Sequence, residues 1–239
     1  MTSDTPDARA ASATNLRFRG FPPAARRFFE ELDRTRSAAP ERADYVAWVL
    51  SPLKTLTADL AGRLANVQPP LSLVPRIDGS LTGAGADGAL VRRLRAWDAR
   101  SLVETSPLLY ADLGAAGIDV GAASAGADPE ATARVRRALL QTSDDSLRAT
   151  CAALLAGGWQ VLGEPLPDAE DGSLPDDLRP WLVRRDLRVQ RLLPWDAWID
   201  DPELAGEIAD RFRELLPLFD AMRAPLPVER PTARAAEAG

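Results

Sequence analysis

The spacing of apolar residues changes several times along the chain, and these changes constrain the fold more than any other feature of the sequence. Apolar residues recur at three- and four-residue steps over residues 22–34 and again from about residue 40 to residue 64, as on a buried helix face. Short apolar runs bounded by Gly, Pro and Asp follow, a pattern typical of strands. Beyond Asp201, Pro202 and Glu203, which together signal a helix start, a helical stripe returns and continues through Phe219. We therefore expect an α+β fold in which a mainly antiparallel central sheet packs with several helices, the last of them long.

The same patterns predict individual elements. Pro52 interrupts the second helical stripe, so we expect a kink or short break near Ser51. Asp128-Pro129 begins one later helix and Asp144 begins another, while Gly114 to Gly117 joins two strands into a hairpin. The predicted strands span residues 71–78, 101–105 with 108–113, 118–122 and 159–162. Residues 90–97, 180–183 and 187–193 fit either a strand or a short helix.

Length and composition favour one domain. The chain has 239 residues, 46% of them hydrophobic, which is enough for a single core. We expect residues 17–223 to form this domain, with a disordered leader at 1–16 and a disordered tail at 224–239. Asp4 and Asp7 stand where a signal peptide carries basic residues, and the longest uncharged run, 149–163, is too short for a membrane span. The sequence therefore predicts a cytoplasmic protein that does not enter a membrane.

Missing residue types limit the available chemistry. The chain has no histidine and one cysteine, Cys151, so it can form neither a Ser-His-Asp triad nor an imidazole-ligated metal site nor an internal disulfide. A net charge of −6 argues against general nucleic-acid binding, which needs a clustered basic excess. We expect no metal and no cofactor. Any catalysis must use carboxylates, arginines and hydroxyl groups.

The first candidate site is a basic cluster at the centre of the chain. Arginine is always charged and its guanidinium forks onto oxyanions, so converging arginines bind carboxylate, phosphate or sulfate. We take Arg76, Arg93 and Arg95 as the candidate anion ligands, and Asp98 or Asp78 as the candidate catalytic acid or base. The alternative is a solvated, salt-bridged surface, and Lys54 is the only lysine among 29 basic residues, so an arginine alone carries little information.

Two further groups are candidates for binding. On an extended strand Arg184, Asp186 and Arg188 would share one face, so Arg184 and Arg188 are candidates for a second wall of the anion site. The alternative is a charged strand edge that prevents aggregation. Trp195 and Trp198, beside Pro194, are candidate anchors of a partner interface, and their alternative role is to cover the core where the last helix docks.

A family resemblance rests on motifs whose order and spacing agree over about residues 17–223. These motifs are Phe18-Arg-Gly-Phe21-Pro-Pro, Ser51-Pro52-Leu53, Asp128-Pro129, Gly163-Glu164-Pro165-Leu166, Arg179-Pro180-Trp181-Leu182 and Asp200-Asp201-Pro202-Glu203-Leu204. The chain resembles domain-of-unknown-function family 2461, a widespread bacterial family. It departs from that family after the first strand, where only Arg76-Ile77-Asp78 matches the start of the family's basic stretch. The resemblance is therefore to a divergent branch.

The resemblance to such divergent relatives implies a function. They include the paired subunits of azinomycin-type antibiotic pathways, which close an aziridine ring by expelling sulfate from a sulfated amine. This implies a cofactor-independent natural-product enzyme in which the chain forms a heterodimer with a paralogous subunit and acts on a sulfated amine held by a carrier protein. The loss of the basic stretch is consistent with a supporting subunit. The alternative is a non-catalytic interaction or scaffold protein of the same family.

Overall fold

The computed structural model describes residues 17–35, 44, 46–68, 70–77, 92–99, 107–124, 129–141, 145–166 and 178–223. Its six strands are β1 (Leu71–Ile77), β2 (Arg92–Asp98), β3 (Leu108–Leu113), β4 (Gly117–Ala123), β5 (Gln160–Leu162) and β6 (Arg188–Pro194). They form one sheet in the order β1-β2-β3-β4-β6-β5. The predicted α+β class with an antiparallel sheet and a long C-terminal helix is confirmed.

The longer helices agree with the periodic stripes, and two helices of four residues add to them. They are α1 (Pro23–Thr35), α2 (Ser51–Arg63), α3 (Pro129–Leu140), α4 (Asp145–Ala156), α5 (Arg179–Leu182), α6 (Trp195–Trp198) and α7 (Leu204–Arg223). A π-helical turn at Val46–Leu50 leads directly into α2, and Pro52 lies in the first turn of α2, so the helix type changes at Ser51. The kink or short break expected there remains a prediction. Residues 90–97, which fitted either type of element, contribute most of β2, and residues 180–183 fall mainly in α5.

Strand register follows from the backbone pairing. β1 pairs antiparallel with β2 and β2 with β3, so that Arg76 faces Arg93 and Arg93 in turn faces Asp112. The N–H of Gly114 donates to the carbonyl of Gly117, 2.9 Å away, and closes the predicted hairpin between β3 and β4. With this closure, counting back along both strands places Asp112 opposite Asp119.

The chain divides into two compact units. Unit 1 comprises Met1–Arg100, Leu109–Gly121 and Arg191–Arg213, and unit 2 comprises Ser101–Leu108, Ala122–Gln190 and Glu214–Gly239. The predicted domain of residues 17–223 remains a prediction. The predicted leader (1–16) and tail (224–239) lie outside the described residues. Across the described part of the chain, the structure contains no helix with both the length and the apolarity that a membrane crossing requires.

Unit 1 is held together by an N-terminal strap, residues 17–22, which precedes α1. Phe18 and Phe21 are buried and pack edge to face with ring centroids 5.3 Å apart. The N–H of Phe18 donates to Asp59 on α2, and the N–H of Phe21 donates to the carbonyl of Ile199. The strap therefore connects α2 to the segment that leads into α7.

Unit 2 contains hydrogen bonds that join the residue after β4, helix α3 and the residue before β6. Ser124, which follows β4, exchanges hydrogen bonds with the backbone of Leu187, and its hydroxyl oxygen accepts from Thr132 on α3. The guanidinium of Arg134 donates to the carbonyl of Met222, near the end of α7. Cys151 on α4 is fully buried in this unit. These contacts satisfy polar groups that would otherwise be costly to bury.

Candidate functional site

The sheet register in unit 1 brings the arginine positions of the central cluster together. Arg76 on β1 faces Arg93 on β2, and Arg95, two residues farther along β2, faces Val74 and Tyr110. Positions that face each other in an antiparallel pair lie on the same face of the sheet, as do positions two residues apart. Arg76, Arg93 and Arg95 therefore occupy one face. Adjacent strands lie about 4.8 Å apart, so the three positions are close neighbours.

Positions on the next two strands, β3 and β4, complete this face. We call it the polar face of unit 1 and define it by positions 76, 93, 95, 110, 112 and 119. Asp112 faces Arg93, Tyr110 faces Arg95, and the hairpin places Asp119 opposite Asp112. Tyr110 and Asp112 are buried, at 3% and 7% exposed, while the side chains of Arg95 and Asp119 are half-buried. A buried carboxylate such as Asp112 needs compensating positive charge or hydrogen bonds, and its backbone position faces that of an arginine.

The opposite face of the same strands forms the hydrophobic core of unit 1. Its members, which alternate with those of the polar face, are fully buried: Leu94, Ala96, Leu109, Ala111, Leu113, Ile118 and Val120. Asp98 follows Leu94 and Ala96 at the same period and is 5% exposed. Strand alternation thus places position 98 on the core face and positions 93 and 95 on the polar face. The role of Asp98 as catalytic acid or base remains a prediction. Asp78, the other predicted acid or base, lies outside the described residues.

Asp112 and Asp119 are site candidates that sequence reasoning missed. In residues 108–113 every second position is apolar and fully buried, namely Leu109, Ala111 and Leu113, so the alternation itself assigns Tyr110 and Asp112 to the other face. Asp119 lies between Ile118 and Val120 in the same way. The alternation of buried apolar residues with polar ones is thus the sequence signal for these two aspartates. It places them opposite each other only when the pairing of Gly114 with Gly117 is known.

The second arginine cluster belongs to unit 2 and differs from its prediction. Arg184, Asp186 and Arg188 would share a face only on an extended strand, and the chain instead bends between residues 183 and 187, so that β6 begins at Arg188. A carboxylate oxygen of Asp186 accepts the N–H of Glu164 at 2.6 Å, and Arg184 donates to the carbonyl of Gly163 at 3.0 Å. Both side chains thus tie this bend to the loop that follows β5. The substrate-binding role of Arg184 and Arg188 remains a prediction.

Trp195, the first predicted interface anchor, is part of the core of unit 1. Its side chain is 1% exposed, stacks on Phe29 with centroids 6.1 Å apart, and meets Phe21 edge to face at 5.7 Å. Its indole N–H donates to the carbonyl of Gly114 at 2.7 Å. The alternative role of covering the core therefore describes Trp195, since its ring offers no exposed surface. Trp198, in contrast, is half-buried.

Neither the search for metal sites nor the comparison with known proteins adds a functional residue to these candidates. Within the residues that the structure describes, no group of three or more Cys, Asp or Glu side chains is arranged to hold a metal ion. The chain matches no family model, no curated protein and no solved structure.

Proposed function

We propose that the polar face of unit 1 binds an anionic leaving group, and that the chain is one subunit of a heteromeric bacterial biosynthetic enzyme that forms an aziridine by displacing sulfate. The observation that carries the anion site is the register of Arg76 against Arg93, with Arg95 two residues away. Like charges directly opposite each other destabilise a sheet, and an anion bound between them removes that penalty. The reaction rests on the resemblance to divergent members of domain-of-unknown-function family 2461.

The proposed chemistry needs only groups of the types found on this face. The amine nitrogen attacks the neighbouring carbon, a carbon–nitrogen bond forms, and the carbon–oxygen bond to sulfate breaks with both electrons leaving on sulfate. Guanidinium groups stabilise that developing negative charge without any change of protonation, since arginine stays charged at all working pH values. The proton released from the amine passes to a carboxylate. Asp112 is better placed for this role than Asp98, because it shares the polar face.

The proposed partners follow from the same resemblance. A paralogous subunit completes the active heterodimer, and the sulfated amine arrives on a carrier protein. The second candidate function is a non-catalytic scaffold, which is favoured by the internal use of Arg184 and Asp186 to tie a bend in unit 2. Under that alternative the arginines of the polar face serve only to balance neighbouring carboxylates.

Calorimetric titration with ethyl sulfate, followed by a product assay, tests the proposal. Arg93→Ala should weaken ethyl sulfate binding about 10- to 100-fold, since a charge-assisted hydrogen bond contributes about 1.5–3 kcal/mol. Arg137→Ala, on an exposed part of α3, is the matched control and should bind as the original chain does. The chain co-expressed with a paralogous subunit should convert a 2-aminoalkyl sulfate to an aziridine that mass spectrometry detects. The proposal fails if the chain binds no sulfate ester and forms no complex.

A further inference from the structure

The outward face of α3 differs from the polar face that a surface helix usually turns to solvent. Ala131, Val135 and Leu139 are fully buried and define the side of α3 that packs into unit 2. On the opposite side, four positions follow each other at the i, i+3, i+4, i+7 spacing of one helix face, and all four are exposed or half-buried. We call them the α3 stripe, which comprises Ala133, Arg136, Arg137 and Leu140. The stripe is basic and apolar, and it contains no carboxylate.

Leu140 places a large apolar side chain in water at the end of the stripe. It is 56% exposed, more than any other large apolar residue in the described part of the chain. The Nε of Arg148 on α4 donates to the carbonyl of Leu139 at 2.8 Å, which fixes the end of α3 against α4. A single exposed leucine is common on a protein surface. Leu140 becomes informative because Arg136 lies one helical turn before it.

Arg136 is half-buried, and the chain provides it with no counter-charge. Its Nε is buried, and no acceptor among the described residues reaches it. Burial lowers the pKa of Arg136 below its ordinary value, and no carboxylate in the described part of the chain opposes this effect. Arg134, on the other border of the buried side, shows the usual solution, since its Nε donates to the carbonyl of Met222. A buried donor without an acceptor is unfavourable, so Arg136 lacks a partner that the free chain does not supply.

The guanidinium and the leucine together form one half of a protein interface. Arginine is enriched at interfaces, where its guanidinium forks onto carboxylates. Arg136 has already lost part of its hydration in the free chain, so docking of a partner's carboxylate removes less water from it. Leu140 lies only about 6 Å farther along the helix axis, so a single contact surface can cover both side chains. The complementary surface therefore carries a carboxylate beside an apolar group.

We infer that the α3 stripe docks the paralogous subunit of the proposed heterodimer, with Arg136 as its charged anchor and Leu140 as its apolar anchor. This inference rests on the proposed function and adds the surface on which the partner binds. The occupant is a permanent subunit, because the unpaired guanidinium and the exposed leucine are unfavourable whenever the chain is free. Trp195 does not provide such an anchor, since its ring lies in the core of unit 1.

Calorimetric titration of the full chain with the purified paralogous subunit tests this surface. Arg136→Met keeps most of the side-chain volume but removes the charge, so it should weaken the complex about 10-fold or more. In the free chain the same substitution should leave the melting temperature equal or raise it, because it removes an unpaired and partly buried charge. A purely structural role would not produce these opposite effects. Leu140→Ala should weaken the complex about 3- to 10-fold, and it keeps the test open if Arg136→Met does not fold.

Arg27→Met is the matched control, because Arg27 is an exposed arginine of α1 outside the stripe. It should bind as the original chain does, and an equal loss in both methionine variants would indicate general charge attraction and overturn the inference. A complex that neither Arg136→Met nor Leu140→Ala weakens also overturns it, while the heterodimer stands. If no complex forms, the heterodimer of the proposed function fails, and docking on the stripe falls with it.

Two other occupants of the stripe are separate outcomes of the same experiment. Sedimentation of the chain alone would show a dimer if a second copy covers the stripe, and Leu140→Ala would dissociate that dimer. Titration with the carrier protein would show a loss of affinity in Arg136→Met if the carrier protein docks there, with the affinity for the paralogous subunit unchanged. Either result overturns the inference, because each assigns the stripe to a different partner.

Discussion

Replacing Trp195 by alanine tests whether this residue is a core side chain or an interface anchor. The indole is 1% exposed, stacks on Phe29 and contacts Phe21. A fully buried aromatic side chain removes roughly 150–250 Å² from water, which at about 25 cal/mol per Å² amounts to about 4–6 kcal/mol. Measured truncations of buried Phe and Trp fall at about 3–5 kcal/mol, so we expect Trp195→Ala to destabilise the chain by about 4 kcal/mol.

The assay is urea unfolding followed by far-UV circular dichroism, which does not depend on the deleted fluorophore. Trp198→Ala is the matched control, because the same change at a half-buried ring should lower the free energy of unfolding by only about 1–2 kcal/mol. An unchanged unfolding midpoint for Trp195→Ala would refute the reasoning. Loss of partner binding in a variant of full stability would instead support the interface role.

Two further predictions concern backbone space and a buried thiol. Gly117→Ala should lower the free energy of unfolding by at least about 2 kcal/mol, because its Cβ would stand 2.2 Å from the carbonyl oxygen of Leu193 at a φ of +154°. The same change at Gly62, an exposed position of α2 with open space around it, should stabilise by up to about 1 kcal/mol, and thermal melts that show the same sign for both would contradict this account. Burial raises the pKa of the Cys151 thiol from 9.0 to about 12, so a disulfide reagent at pH 8 should react only after unfolding, and immediate reaction of the folded chain would count against this prediction. The thiol has a higher pKa in the folded state than in the unfolded state, so the unfolded chain loses this proton first. The free energy of unfolding should therefore fall as pH rises above about 9, and it should fall less steeply in Cys151→Ala.

Elements with a long and regular period could be predicted well from the sequence. α1 was expected at residues 22–34 and lies at Pro23–Thr35, and the stripe beyond Asp201 became α7 at Leu204–Arg223. Single helical turns such as α6 were missed, because four residues show no period. β2 stayed ambiguous for a related reason: its apolar positions Leu94 and Ala96 are too few to separate a strand from a helix.

The candidate site was only partly predictable, because neighbours along the sequence are not neighbours in a sheet. Asp98 is three residues from Arg95 and for that reason was paired with it, yet an odd spacing on a strand places two side chains on opposite faces. Asp112 is farther along the chain but faces Arg93 across β2 and β3. Such a pair depends on register, which is set by strand pairing and hairpin closure and not by local composition.

The N-terminal strap can close only late in synthesis, because two of its partners lie near the other end of the chain. Arg17 pairs with Glu203 at 2.6 Å, and these residues are 186 positions apart in the chain. Closing a loop of this length carries an entropic penalty of about 4–5 kcal/mol, and such distant contacts slow folding. At about 5–20 residues per second, a ribosome needs roughly 10–40 s to travel between them. Throughout that interval Phe18 and Phe21 lack the segment around Ile199 against which the strap closes, so the nascent chain exposes two aromatic rings to chaperones and to aggregation.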